Sequence, residues 1–156
     1  MEANATVLRG DDCGYAEFTA SVDVLITRRH TYDQVTGFDL WPCAGNRVVM
    51  FNSRPIALSH GPGIQLHASS EPPADLLRRL SSEGCQHAYV DAGQVIQRFL
   101  VAGLIDRATI TTIPVLIGTG RRFFGHLPTD VTVTLAQPWV YDFGVAQATY
   151  LAARAA

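Results

Sequence analysis

The sequence has few charged residues and no basic cluster. Charged side chains make up 17% of its 156 residues, below the roughly 25% of an average soluble domain, and the net charge is only −2. The twelve cationic residues are almost unclustered, so the chain lacks the broad basic surface that a nucleic-acid backbone requires. Apolar surface that a low charge content leaves exposed is commonly covered by self-association. We therefore expect a homodimer and no nucleic-acid partner.

The chain also lacks the residue patterns of a disulfide framework or a metal centre. Its three cysteines, Cys13, Cys43 and Cys85, are odd in number and show no C-x-x-C spacing, so we interpret each as a small buried hydrophobe. None of the five histidines lies three or four residues from another, and no H-E-x-x-H motif occurs. The sequence therefore predicts no metal site.

Two further absences narrow the location and the chemistry. No segment reaches the roughly 18 apolar residues of a membrane span, and the first residues lack the basic region and apolar run of a signal peptide. We therefore expect a cytoplasmic protein without a membrane partner. There is no G-x-S-x-G motif and no carboxylate pairing that identifies an acid and a base, which leaves hydrolysis without support.

What the sequence does contain is an alternation of apolar strand and helix patterns. The hydrophobic fraction is 47%, enough for the core of a single domain spanning residues 1–156. The patterns predict strands at Val22–Ile26, Arg47–Phe51, Ile64–His67 and His87–Val90, and helices at Arg29–Val35, Pro72–Ser82 and Gln94–Ala102. Gly84 and Gly103 act as end signals for the last two helices. Such alternation is typical of a mostly parallel sheet with helices on both faces.

The last third of the chain is β-rich instead. Three such segments occur there, at Ala108–Leu116, Val131–Ala136 and Val145–Leu151, with no helix-length segment between the last two. They predict an antiparallel hairpin at the edge of the sheet. A glycine turn that precedes Phe123 and Phe124 is interpreted as a structural bend with both rings in the core.

In a sheet of this kind, ligands bind at the carboxyl ends of the strands. The first loop at such an end, from Thr27 to Tyr32, places Arg28 and Arg29 at the start of a helix, which suits a phosphate. A solvated basic helix start explains the same residues equally well on local grounds.

Two more loops follow at the next strand ends. The segment Asn52-Ser53-Arg54 offers a hydroxyl and a guanidinium that can stack on a purine or pair with a phosphate, although an ordinary turn is the commoner explanation. The segment Asp91-Ala92-Gly93-Gln94 has small residues that let the backbone approach a pyrophosphate. It lacks the full G-x-G-x-x-G pattern and is a weak motif by itself.

In the order in which they occur, these segments resemble a known family. Leu100–Asp106, followed by Ile113–Phe124, is similar to the leucine, acidic, proline and glycine signature of the dihydrofolate-reductase-like superfamily, in the branch related to the riboflavin-biosynthesis reductase domain. The resemblance spans Tyr15 to Tyr150. It implies a three-layer α/β fold with a mostly parallel central sheet flanked by helices and a C-terminal antiparallel hairpin, and it implies NADPH as the cofactor.

The resemblance also gives each loop a role. Arg29 and Thr31 match the family's Gly-Arg-x-Thr-Tyr turn at the cofactor phosphates. Ser53 and Arg54 match the loop at the adenosine end, and the segment 91–94 resembles the paired-glycine turn at the pyrophosphate. The cofactor-binding residues implied in this way are Thr27, Arg28, Arg29, Thr31, Ser53, Arg54, Asp91, Ala92, Gly93, Gln94 and Val95.

The chain departs from the family pattern at two of these positions. Arg28 stands where the family has the glycine of its phosphate turn, and Ala92 replaces the first glycine of the pair. If Arg28 needed a positive φ, the side chain would cost on the order of 1 kcal/mol in strain. Alternatively, its charge compensates by pairing with the phosphate.

A third departure concerns the start of the fold. The resemblance implies an opening strand and loop that border the nicotinamide and the substrate, and we expect this chain to begin after them. We therefore expect an unpaired groove near the middle of the sheet, because backbone donors and acceptors there lose their partners. Residues Ala5 to Leu8, or a second chain, are the expected occupants.

These features support three hypotheses about function. The first is an NADPH-dependent reductase that transfers a hydride to a small heteroaromatic substrate, of the pterin or ribosylated pyrimidine type. The second is a non-catalytic nucleotide-binding or structural member of the same fold. The third is an oligomeric domain without a nucleotide site, in which Arg29, Thr31 and Ser53 do not converge. The sequence identifies no proton donor.

Overall fold

The computed structural model describes residues 11–35, 46–52, 65–120 and 123–153, and within them it contains four helices and seven strands. The helices are α1 (Tyr15–Ala20), α2 (Arg29–Val35), α3 (Pro73–Ser82) and α4 (Gly93–Val101). The strands are β1 (Val24–Thr27), β2 (Arg47–Phe51), β3 (Gln65–Ser69), β4 (Ala88–Val90), β5 (Arg107–Thr112), β6 (Val133–Val140) and β7 (Ala146–Ala152). Within the described ranges, no helix combines the length and the apolar character that crossing a bilayer takes.

Strands β1 to β4 form one parallel sheet in the order β3-β2-β1-β4. Leu25 of β1 is paired with Val48 on one side and with Tyr89 on the other. All four residues of β1 are buried, as expected of a central strand that is covered on both faces. The continuous apolar run that the sequence shows in this segment is therefore a consequence of its central place in the sheet.

Helices cover both faces of this sheet, as the sequence pattern predicts. On one face, Val24 and Ile26 pack with Leu76 of α3 and Phe99 of α4 in a buried cluster. On the other face, Leu25 and its neighbours in β2 and β3 pack with Tyr32 of α2. The α/β architecture with a mostly parallel sheet is thus confirmed.

The C-terminal strands form a separate antiparallel sheet in the order β5-β7-β6. The predicted hairpin corresponds to β6 and β7. Strand β6 continues through Pro138, which an edge strand tolerates because its outer N–H groups need no partner.

The boundary between the two sheets falls between β4 and β5, each of which is the last strand of its own sheet. Within the described residues, β4 is paired only with β1 and β5 only with β7, so each of these two strands has one edge without a partner strand. The resemblance led us to expect an unpaired groove near the middle of the sheet, and that expectation stays a prediction. Ala5 to Leu8, the expected occupants, lie outside the described residues.

Several local predictions can be compared with the structure directly. The predicted bounds of β2 and α2 are those observed, and Gly84 and Gly103 have the positive φ of helix-ending residues, 92° and 65°. The described part of the segment before and at Phe123 and Phe124 does bend, but the prediction that both rings lie in the core is wrong, since these residues are 61% and 36% exposed. Their rings pack edge to face on each other, with centroids 4.8 Å apart, rather than in the core.

Candidate functional site

A cavity of about 240 Å³ opens at the carboxyl edge of the parallel sheet. Its described lining residues are Arg28, Phe51, Asn52, Gln94, Val95 and Arg98. Because β1, β2 and β4 run in the same direction, the loops that follow them meet at this edge. Arg28, Asn52 and Gln94 come from the three loops that the sequence singles out, so the structure places one residue from each loop at the same cavity.

Arg28 connects β1 to α2. Its carbonyl accepts a hydrogen bond from the backbone N–H of Tyr32 at 2.9 Å, so its backbone takes part in the first turn of α2. Among the described residues other than glycine, only Cys13 and Ala92 have a positive φ. Arg28 therefore lacks the backbone strain that a positive φ would impose. Its half-buried side chain reaches the cavity, where Nη1 donates a hydrogen bond to Oε1 of Gln94.

The first two turns of α4 supply two polar side chains to the cavity, Gln94 and Arg98. They are four residues apart and so share one face of the helix. The guanidinium of Arg98 lies over the ring of Phe51, with Cζ 5.2 Å from the ring centroid. Sequence reasoning missed Arg98, although its spacing from Gln94 was a signal that pointed to the same face.

The turn that begins α4 has an unusual backbone. Ala92 adopts φ 75° and ψ 122°, a conformation that residues with a Cβ rarely take. No side chain caps this helix start, and the first N–H groups of a helix have no partner within the helix itself. At Gly93, an added Cβ would meet no described atom closer than the Phe123 carbonyl oxygen at 3.8 Å, so the protein itself leaves room there.

The other described residues of the predicted set do not line this cavity. The guanidinium Nε of Arg29 pairs with the Asp33 carboxylate at 3.5 Å on the exposed side of α2. Thr31 belongs to the same helix. Thr27 is buried at the end of β1, and its hydroxyl has no hydrogen-bond partner among the described residues. The backbone N–H of Asp91 donates to the Ile26 carbonyl at 2.9 Å and extends the pairing of β1 with β4.

Ser53 and Arg54, the predicted adenosine-end residues, lie outside the described residues. The convergence of Arg29, Thr31 and Ser53, which separates the third hypothesis from the other two, therefore stays untested. The convergence that the structure does describe involves Arg28, Asn52 and Gln94.

The charges around the cavity favour an anion. Two guanidiniums line it, and no carboxylate does so within the described part of the chain. Glu71, which follows β3 at the same edge, accepts hydrogen bonds from Arg79 at 2.9 to 3.2 Å and from Ser69. These bonds, chiefly those from Arg79, lower the pKa of Glu71. In the described ranges, no group of three or more His, Cys, Asp or Glu side chains is arranged to hold a metal ion.

Solved structures share this architecture. A Shewanella sp. PV-4 protein described as a candidate riboflavin biosynthesis protein is 29% identical, with a TM-score of 0.82 over 93% of this chain and 82% of that one. The Saccharomyces cerevisiae riboflavin biosynthesis reductase Rib7 aligns with a TM-score of 0.64 at 11% identity, over 92% of this chain and 81% of its own.

A longer bifunctional protein contains the same fold as one of its parts. It is the diaminohydroxyphosphoribosylaminopyrimidine deaminase/5-amino-6-(5-phosphoribosylamino)uracil reductase of Thermotoga maritima, with 13% identity and a TM-score of 0.69. The alignment covers 92% of this chain and 49% of that protein. At such low identity the likeness shows the fold alone.

Family membership rests on the sequence itself. The profile of the RibD C-terminal domain matches residues 13–146, a range that includes β1 to β5, α4 and the cavity between them. Since this range is well over half of the chain, we conclude that the chain belongs to the RibD C-terminal domain family and has the dihydrofolate-reductase-like fold of the riboflavin-biosynthesis reductases.

Proposed function

We propose that this protein is an NADPH-dependent reductase that transfers a hydride to a small heteroaromatic substrate, of the ribosylated pyrimidine or pterin type. The observation that carries the proposal is the meeting of Arg28, Asn52 and Gln94 at one cavity. These residues follow three different strands of the parallel sheet, and the carboxyl edge of such a sheet is where nucleotide cofactors bind.

The cavity suits the phosphate-bearing part of a dinucleotide. Arg28 and Arg98 offer guanidiniums that pair with phosphate oxygens, and the uncapped start of α4 offers backbone N–H groups to an anion. Its volume of about 240 Å³ is below the roughly 300 to 1,000 Å³ of sites that enclose a drug-sized ligand. We therefore assign this cavity to the diphosphate and its neighbouring groups rather than to the whole cofactor.

The reductase activity and the substrate class come from the family. NADPH supplies the hydride, and the task of the protein is to bind and orient the two reactants. The Thermotoga maritima protein of the same fold is named as a 5-amino-6-(5-phosphoribosylamino)uracil reductase, and the yeast relative as a riboflavin biosynthesis reductase. These names favour a ribosylated aminopyrimidine over a pterin, and we assign no proton donor.

A nucleotide-binding protein without turnover is the second candidate, and Ala92 is the residue that favours it. The side chain adds bulk where the family has the first glycine of its pair, and its backbone has φ 75°. A displaced pyrophosphate would move the nicotinamide away from the substrate, and a small displacement of this kind strongly lowers the rate of hydride transfer.

Titration with NADPH tests both candidates together. A ligand at 100 times its dissociation constant adds about 2.7 kcal/mol to the free energy of unfolding, which thermal unfolding detects, and calorimetry gives the affinity. Absence of both signals would reject the two nucleotide-dependent candidates and leave the third hypothesis, a domain without a nucleotide site.

If NADPH binds, its oxidation separates the reductase from the binder. The loss of nicotinamide absorbance is followed with a phosphoribosylated diaminopyrimidine and, separately, with dihydrofolate. Oxidation that depends on either compound supports the reductase, and the better substrate identifies the class. Binding without oxidation by either one supports the second candidate.

A further inference from the structure

We infer that Gln94 is a positioning residue, which holds the guanidinium of Arg28 at the cavity so that it meets the cofactor phosphates. The inference rests on the proposed function, because it assigns a role within the same site. It also gives a role to the arginine that stands where the resemblance implies a glycine.

The contact joins two parts of the chain that are 66 residues apart. Nη1 of Arg28 donates to Oε1 of Gln94, and both side chains line the cavity. The backbone of Arg28 is fixed in the first turn of α2 by the hydrogen bond from Tyr32. Gln94 is the second residue of α4. Both ends of the bridge are therefore attached to regular structure, which restricts where the guanidinium can lie.

The chemistry of the acceptor matters as much as its place. A guanidinium has five N–H donors, so one bond from Nη1 leaves the others for phosphate oxygens. An amide oxygen is neutral and leaves the charge of Arg28 intact, whereas a carboxylate at this position would neutralise it. The neighbouring acid Asp33 pairs with Arg29, whereas the acceptor that the Arg28 guanidinium meets at the cavity is the neutral amide oxygen of Gln94.

Preorganisation gives this contact its effect on affinity. A half-buried arginine has many rotamers, and each one that points away from the cavity lowers the fraction of molecules ready to bind. Gln94 selects a rotamer that faces the cavity. Its contribution should therefore act through Arg28 alone and should disappear when Arg28 is removed.

A double-mutant cycle with NADPH affinity as the readout tests this prediction. We expect Gln94→Ala to weaken binding about fivefold and Arg28→Ala to weaken it more, about tenfold, with the double variant no weaker than Arg28→Ala. Gln86→Ala is the matched control, since Gln86 is an exposed glutamine at the amino edge of the sheet, and it should bind as the wild type does. Thermal unfolding of each variant without ligand checks that the fold is retained.

A second variant separates positioning from charge. Gln94→Glu keeps an acceptor for Arg28 but adds a negative charge beside the phosphates. It should bind NADPH more weakly than Gln94→Ala at low salt, and its affinity should depend less on salt concentration. An affinity equal to that of the wild type in Gln94→Ala, or the same fivefold loss in the Arg28→Ala background, would overturn the inference while leaving the proposed function standing.

Inorganic pyrophosphate serves as a second probe of the same four proteins. If the wild type bound pyrophosphate but not NADPH, and the Gln94→Ala loss again vanished without Arg28, the positioning role would hold while the proposed reductase failed. If the wild type bound neither, both would fail.

Discussion

Arg98 and Phe51 form a contact between a helix and a strand end at the cavity, with the guanidinium carbon Cζ over the ring and 5.2 Å from its centroid. Phe51 is itself a core residue, buried among the side chains of α3 and α4 and packed edge to face on Phe99. The apolar core thus extends to the cavity surface and offers a flat aromatic face there. A planar cation suits that face better than a flexible ammonium does.

Replacement of Arg98 should affect ligand binding far more than folding. We expect Arg98→Ala to weaken NADPH binding about tenfold, because it removes one of the two cations that line the described part of the cavity, and to cost at most about 1 kcal/mol of stability, the usual value of an exposed cation–π contact. Calorimetry and thermal unfolding measure the two effects. Arg98→Lys keeps the charge without the planar group, and its affinity for NADPH should lie between those of the wild type and Arg98→Ala. Wild-type affinity in Arg98→Ala would remove Arg98 from the site.

Ala92→Gly should stabilise the protein. The alanine has φ 75°, a conformation that costs about 1 to 3 kcal/mol and that glycine adopts without this cost. Glycine also gives the unfolded chain more conformational entropy, which lowers the free energy of unfolding by about 0.4 to 1 kcal/mol. The free energy of unfolding should therefore rise by about 1 kcal/mol, which corresponds to a rise of about 2 to 4 °C in Tm. Ala102→Gly is the matched control, since Ala102 has an ordinary φ of −80°, and it should lower Tm. A lower Tm for Ala92→Gly would show that its backbone is not strained.

Gly93→Ala should leave the fold intact and reduce cofactor binding. The nearest described atom to an added Cβ is 3.8 Å away, an ordinary contact, and alanine is the better helix former by up to about 1 kcal/mol. A pyrophosphate at the start of α4 would compete for the same space. We expect an unchanged or higher Tm together with an affinity for NADPH that is lower by tenfold or more. Unchanged affinity would place the pyrophosphate elsewhere.

The fold was predictable where one physical effect dominates a segment. Strand β2 (Arg47–Phe51) is an apolar run that a polar turn ends, and its predicted bounds are those observed. The six-residue α1 was not predicted, because its two aromatic residues and short length give no clear helical period. The predicted strand ends at Ala136, but β6 runs on through Pro138. An edge strand tolerates this proline, and the edge position of β6 depends on strands that are distant in sequence.

The site was predictable as a set of loops but not in its side-chain detail. The carboxyl-edge rule brings Arg28, Asn52 and Gln94 together before any coordinates are known. Which of the adjacent cations, Arg28 or Arg29, faces the cavity depends on the direction in which α2 leaves the sheet, and that direction is set by tertiary packing. Arg98 was missed because its relation to Phe51 joins elements that only the fold brings into contact.

Asp23 should make stability depend on acid pH. One of its carboxylate oxygens accepts hydrogen bonds from the backbone N–H groups of Gln86 and His87, both at 2.8 Å, and these bonds, that of His87 most, lower the pKa of Asp23. A lowered pKa in the folded state means that the stabilisation is complete above the unfolded-state pKa of about 3.9 and is lost as pH falls through the folded-state value.

The free energy of unfolding of the wild type should therefore fall below about pH 4. Glu71 and Glu83 also have lowered pKa values and contribute to the same fall, so the comparison with Asp23→Asn isolates the part that is due to Asp23. Chemical denaturation over this range should show a shallower pH dependence in Asp23→Asn. Parallel curves for the two proteins would contradict the prediction.

The homodimer stays a prediction, and the antiparallel sheet is where we expect its interface. All eight residues of β6 are exposed, and neither β6 nor β7 contains a charged residue. An uncharged surface of this kind offers nothing that selects a partner of opposite charge, which favours a second copy. Trp139 and Val140 are 56% and 76% exposed there. Trp139→Arg should lower the mass in solution from dimer to monomer, as measured by light scattering, and a monomeric wild type would refute the prediction.

Strand β1 places the last core residue and the first cavity residue side by side in the chain. Thr27 is 1% exposed, and Arg28 immediately after it already lines the cavity. With no spacer between them, a backbone shift that reshaped the cavity would also have to disturb the buried end of β1. Divergence in ligand preference should therefore proceed by exchange of the side chains at 28, 94 and 98 on an unmoving scaffold, and directed evolution of this protein can concentrate its libraries on those three codons.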